Sequence, residues 1–124
     1  MATRSFIGIL NQDNTVNYIY CHFDGYPSYM LPMLSKNYNT EEEVRELLGL
    51  GDISVLKPLV SPPEGEEHSF HKPHPFTTIA YHRDRGDYLL EKSTISEALY
   101  SRQLLGNNGI DYGYLFKDGE WVVL

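Results

Sequence analysis

The chain is poor in the residues that most directly advertise chemistry. It holds one cysteine in 124 residues, which excludes an intramolecular disulfide and a cysteine-based zinc site. No apolar run approaches the roughly 18 residues that a membrane-spanning helix needs. Met1-Ala2-Thr3-Arg4 leads into no apolar core, so no signal peptide is expected. Bases are scarce: ten Lys and Arg face seventeen Asp and Glu, a formal charge of −7. Nucleic-acid binding relies on phosphate-neutralising Lys and Arg, so direct contact with DNA or RNA is not expected. The sequence also has no Gly-x-Ser-x-Gly, no phosphate loop and no dinucleotide fingerprint.

What remains is ordinary for a folded domain. Hydrophobic residues make up 41% and charged residues 22%, which argues against general disorder. The length suits one domain over residues 1–124. The expected setting is the cytoplasm, with neither cofactor nor metal. Most of the negative charge is local: residues 41–67 hold eight acids and two bases, −6 of the −7. Such a surface serves solubility, and it can also draw a basic partner by long-range attraction.

Hydrophobic patterning predicts an α+β fold: an antiparallel sheet of about five strands, with terminal hairpins and about three helices on one face. Ser5–Leu10 and Thr15–Phe23 flank the turn residues Asn11-Gln12-Asp13-Asn14. Apolar groups on both faces of the second strand mark it as central. A helix is expected from Ser28, or from near Leu31 because of Pro32, to about Asn37. Thr40-Glu41-Glu42-Glu43 is a capping box ahead of Val44, Leu47 and Leu48. Residues 57–75 hold five of the seven prolines and read as an irregular surface loop. Phe76–His82 reads as a strand. Thr94-Ile95-Ser96-Glu97 reads as a second capping box, opening a helix to about Leu105 with Ile95, Ala98, Leu99 and Leu105 inward. Asp118-Gly119 signals a type I′ hairpin.

Three constellations carry potential chemistry. His68, His71 and His74 share a polyproline spacing that would put them on one side of the chain, but about 9 Å apart at 3.1 Å per residue. That is too far to chelate one metal ion. His22-x-Asp24 and His82-x-Asp84 each end a predicted strand just ahead of a glycine. With Arg83 and Arg85 they would form a polar cluster if the strand ends adjoin. It reads either as a site with a histidine base and arginines for a phosphate, or as a structural ion-pair network. Cys21 alternates inward and reads as a core residue rather than a nucleophile. The third feature is tyrosine, ten residues beside five Phe and one Trp. Tyr26, Tyr29 and Tyr38 precede the acidic helix and are candidate contact anchors, since tyrosine is enriched in interface hot spots. They join Glu41, Glu42 and Glu46 as the expected binding residues.

Four segments carry a family resemblance: Tyr20-Cys21-His22-Phe23-Asp24-Gly25-Tyr26-Pro27, Tyr38-Asn39-Thr40, Leu50-Gly51-Asp52-Ile53-Ser54 and Ile79-Ala80-Tyr81-His82-Arg83-Asp84-Arg85-Gly86. Together they resemble a family of small proteins encoded by bacteriophages and prophages, over about Ser5 to Trp121. Phe23 stands where that family has Trp as often, and the proline-rich loop is particular to this chain. The family brings no residue-level activity to transfer. It implies an accessory protein of phage infection, a class that commonly counters host defence by binding. The leading expectation is therefore a non-enzymatic inhibitor, such as an anti-CRISPR protein, whose partner is a host defence protein or protein–nucleic-acid complex. The alternative is a small phosphoesterase or nucleotide-sequestering protein using the His-x-Asp and Arg-Asp-Arg corner. A membrane partner is not expected, and self-association is left open.

Overall fold

The structure, a computed structural model, describes residues 2–88, 93–100 and 109–124. It is an α+β fold built on one mixed sheet. Strand β1 (Ser5–Leu10) pairs antiparallel with β2 (Thr15–Cys21) through the expected hairpin. Asp13 shapes that turn by accepting from the Thr15 amide and hydroxyl, at 3.2 and 2.6 Å. Helices α1 (Pro27–Asn37) and α2 (Glu41–Leu48) follow. Next come β3 (Ile53–Val55), β4 (Ile79–Ala80), the short helix α3 (Tyr81–Arg85) and β5 (Ser93–Ser96). The second hairpin, β6 (Tyr112–Lys117) with β7 (Glu120–Val123), turns at Asp118 and Gly119. Both have positive φ, 54° and 79°, as a type I′ turn demands.

The strand order is β4-β3-β2-β1-β6-β7, and β5 joins the same side of β2 as β3. The strands number seven among the described residues, where about five were expected. The sheet is mixed rather than antiparallel, because β1 pairs parallel with β6 and β2 parallel with β3. Each parallel pair is joined by a long stretch of chain, as parallel pairing requires. Because β2 is bonded on both sides, it is central, as its two-faced pattern predicted.

Two sequence expectations yield to tertiary pairing. Thr94–Ser96 do not open a helix; they lie in β5, opposite Asn17, Val16 and Thr15. Thr94 Oγ1 donates to Asn17 Oδ1 at 2.9 Å, and Glu97 pairs with Lys117 rather than returning to Thr94. Local capping signals lose to β-branched residues placed against a waiting strand. Ala98 and Leu99 are exposed and not inward, and Leu105 lies outside the described residues. The strand expected over Phe76–His82 shrinks to Ile79–Ala80, and Tyr81 to Arg85 wind into α3.

Helix α1 starts one residue before the expected cap. Tyr26 is the extended N-cap residue and Pro27 takes the first helical turn, a position where its missing N–H costs nothing. Pro32 sits inside the helix and deprives the Ser28 carbonyl of a partner; both residues are exposed to water. Helix α2 forms as its capping box predicts. Thr40 Oγ1 accepts from the Glu43 amide at 3.2 Å and donates to the Glu43 carboxylate at 3.0 Å.

The two helices cover one face of the sheet. Ile7, Ile9, Ile19, Cys21, Tyr114 and Phe116 meet Met30, Leu34, Val44, Leu47 and Leu48 there. On the opposite face, Val16 and Leu115 pack with Tyr100. Gly8 makes that contact feasible, because a Cβ there would come within 2.8 Å of Val16 and 3.1 Å of the Tyr100 ring.

Much of the tyrosine excess turns out to be structural. Buried rings donate their hydroxyls to carbonyls far along the chain: Tyr38 to Lys57 at 2.7 Å, Tyr100 to Tyr114 at 2.9 Å, Tyr114 to Gly25 at 2.6 Å. Each fills apolar volume and ties its hydroxyl to a backbone carbonyl of another element, a loop carbonyl for Tyr38 and Tyr114 and a carbonyl of β6 for Tyr100.

Candidate functional site

The three longer motifs meet at one edge of the sheet. Cys21 of β2 is in register with Ile53 of β3, and Ile53 with Ala80 of β4. Asp52 ties the row together: its carboxylate accepts from the Tyr20 amide at 3.0 Å, and its carbonyl from the Tyr81 amide at 3.3 Å. The two His-x-Asp corners thus flank β3. Two strand spacings, roughly 10 Å of sheet, separate them.

Beyond β4, α3 builds a tight charged node. Arg83 and Asp84 are adjacent on one helical turn, and their side chains form a fork, Nε to Oδ1 at 2.8 Å and Nη2 to Oδ2 at 3.0 Å. Asp84 Oδ2 also accepts from the Ala80 amide at 2.7 Å, capping the helix start, and lies 2.9 Å from His68 Nε2. The guanidinium reaches onward to the carbonyls of Thr78, at 2.7 Å, and Val60. Exposure of the His68 and Asp84 side chains is only 2% and 3%. Burial pushes the Asp84 carboxyl up, but the Arg83 guanidinium, the Ala80 amide and His68 pull harder, and its pKa ends below the usual carboxylate value. The node joins α3 to the proline-rich loop and to β4.

The remaining corner residues have separate partners. His82 Nδ1 meets the Asp87 carbonyl at 2.7 Å. Arg85 donates to Asp87, Nε to Oδ1 at 2.8 Å, and lies over the rings of Phe70 and Tyr81 at 4.9 and 4.6 Å. His22 Nδ1 is 2.6 Å from the Tyr20 hydroxyl. Asp24 occupies a left-handed turn position, φ 57°. Among the described residues no hydrogen bond or ion pair links His22 or Asp24 to Arg83, Asp84 or Arg85. The expected six-residue cluster is therefore divided by β3. Two things depart from the expectation: β3 lies between the two strand ends, and the strand alternation assumed for His82 and Asp84 fails once α3 winds.

Sequence reasoning missed His68 as the partner of Asp84. The cue was a histidine in a proline-bounded turn, which needs partners for both ring nitrogens if it is buried. His74 is likewise held within the loop, its Nδ1 3.0 Å from Thr77 Oγ1. Cys21 is buried, as its alternation predicted, and burial pushes its thiol up to about 12. A thiol so protonated is a poor nucleophile.

The second candidate region lies at the opposite end of the sheet. The β1–β2 turn, the β6–β7 turn and the α1–α2 connection enclose an open cleft of about 480 Å³. Its polar rim includes Asn11, Asn14, Asn39, Thr40, Glu41 and Asp118, over Ile9, Leu10 and Phe116. Glu41, Glu42, Glu43 and Glu46 are all exposed on α2, whose other face, Val44, Leu47 and Leu48, is buried. Arg45 spans Glu41 and Asn11, with ion-pair and hydrogen-bond distances of 2.9 and 3.0 Å. The helix, anchored by its buried face, thus presents four carboxylates to water.

The tyrosines expected beside that row are not there. Tyr38 is 2% exposed and belongs to the core. Tyr29 is half-buried and bonded to the Leu56 carbonyl at 2.6 Å. Tyr26 is exposed, but it starts α1 at the end of the sheet where β2 finishes, whereas Glu41 lines the cleft at the other end. Eleven helical residues, about 16 Å, lie between. The expected interface therefore reduces to Glu41, Glu42 and Glu46 with their carboxylate neighbours.

Comparisons with protein-family models, with curated proteins and with solved structures found no match to the chain. Among the described residues no helix is long and apolar enough to cross a membrane.

Proposed function

We propose that the protein is a non-enzymatic inhibitor that binds a basic surface on a host defence protein or protein–nucleic-acid complex, as an anti-CRISPR protein does. In this reading it works in the cytoplasm of a bacterial host during phage infection. The observation that carries the reading is the exposed carboxylate row of α2. Its apolar side is anchored in the core, so binding need not order the helix first. Asp118 and Glu120 on the β6–β7 hairpin are exposed too, and Asp118 shares the cleft with Glu41. Attraction from such a surface speeds encounter with a basic partner. The phage setting rests on the motif resemblance.

The arginine corner offers less to a nucleotide. Arg83 is taken up by Asp84 and two carbonyls, and Arg85 by Asp87 and two aromatic rings. A phosphate would have to displace those partners.

The test is expression in bacteria carrying defined defence systems, scored by phage plating. Protection of phage in at least one defence background is expected. No protection in any background would remove the main support for the reading.

A further inference from the structure

We propose that His68 is a pH-sensitive latch, holding the proline-rich loop on α3 when neutral and releasing the loop's end of the contact when protonated. The inference follows from the two ring nitrogens. Nδ1 accepts from the backbone amide of His74 at 3.0 Å. A backbone N–H only donates, so Nδ1 carries no proton. In the neutral ring the proton is then on Nε2, which faces Asp84 Oδ2 at 2.9 Å. His68 is thereby assigned as the neutral Nε2–H tautomer, bridging a loop donor and a helix acceptor.

Protonation puts the second proton on Nδ1, pointing at the His74 N–H. Two donors then face each other in a site where the ring is 2% exposed, and the loop bond is lost. The Asp84 bond survives, because the carboxylate attracts the imidazolium. The charged groups within reach of the ring are Asp84 and Arg83, both from α3, with Arg83 Nη2 at 3.4 Å. From the loop comes the His74 amide, while the His74 ring itself turns to Thr77 and the Phe76 amide. From the segment before β4 comes the Thr78 carbonyl, already held by Arg83. The opening is thus one-sided: the ring stays on α3, Phe70 stays there too through its amide on the Asp84 carbonyl at 3.2 Å and its ring under Arg85, and the chain from Pro73 to Pro75 loosens. Ser69 and Lys72 keep their mutual bonds, Ser69 N–H to the Lys72 carbonyl at 3.1 Å and Lys72 N–H to Ser69 Oγ at 3.0 Å, so the turn around Phe70 stays formed and the change is confined to the His74 end.

Nitrogen-15 NMR across a pH series reads the charge and tautomer of each imidazole directly. In the neutral state the His68 ring should show the Nε2–H pattern and His82, which faces a carbonyl through Nδ1, the Nδ1–H pattern. As the His68 signals titrate, hydrogen-exchange protection of the His74 amide should fall about tenfold or more, while that of Ala80 stays. His68→Gln, which cannot titrate, should show no such step. Three results overturn the proposal: His68 found as the Nδ1–H tautomer, His74 protection unchanged through the His68 titration, or the same step in His68→Gln. The wild-type titration decides the matter even if that variant fails to fold.

Discussion

The α3 corner and the α2 edge are both rich in charge, yet they treat it in opposite ways. At the corner Asp84, Arg83 and His68 lie together, with Asp84 and His68 3% exposed or less, and the carboxylate meets three donors. On α2 four glutamates face water, and one arginine answers them. Buried charge must be paired, and once paired it is tied to the fold. Unpaired charge on a rigid element contributes little to stability and remains free to attract a partner. The contrast marks the first region as part of the fold's framework and suits the second to the binding role proposed for it.

Breaking the node should give the largest effect. Asp84→Ala leaves the Arg83 guanidinium, the Ala80 amide and the His68 N–H without their shared acceptor. The expected loss is about 3 kcal/mol of unfolding free energy, measured by urea denaturation. A loss near zero would remove the corner's structural role. Tyr114→Phe should follow at about 1.5 kcal/mol, because it deprives the buried Gly25 carbonyl of its donor.

Acid titration sharpens the same contrast. The Asp84 pKa is lowered in the folded state, against about 3.9 for an unperturbed aspartate. Its stabilising contribution is therefore complete above about pH 4 and fades as pH falls through the lowered value. Asp84→Asn should flatten the stability profile in that window, as read by thermal unfolding across an acid pH series. Glu42→Lys and Glu46→Lys should move unfolding free energy least, within about 0.5 kcal/mol at neutral pH.

The legible parts of the fold were those where local chemistry and tertiary structure agree. Asn11–Asn14 and Asp118-Gly119 fix their turns by local means, Asp13 through its bonds to Thr15 and Asp118-Gly119 through positive φ. Thr40 and Glu43 cap α2 with groups three residues apart. The parts that misled were those where a distant strand decides. Thr94–Ser96 carry helix-cap residues, yet Asn17 and Val16 claim them for β5. Asp84 looked like one end of a strand alternation, yet it reaches back to the Ala80 amide and closes a helical turn. Within the candidate site, exposure of the α2 glutamates followed from the apolar stripe of Val44, Leu47 and Leu48. Burial of Tyr38 did not, because its partner Lys57 lies beyond α2 and β3. His68 was hidden for the same reason: Asp84, its acceptor, is brought near only by the loop and β4.

The most direct test of the account is phage plating on a defence background in which the wild-type protein protects. It compares the Glu42→Lys/Glu46→Lys variant with Arg85→Ala, whose arginine lies exposed on α3. Both variants should fold, which thermal unfolding checks beforehand. The account predicts that charge reversal on α2 abolishes protection and that Arg85→Ala retains it. Full protection by the α2 variant, with protection lost in Arg85→Ala, would contradict the account and return function to the arginine corner.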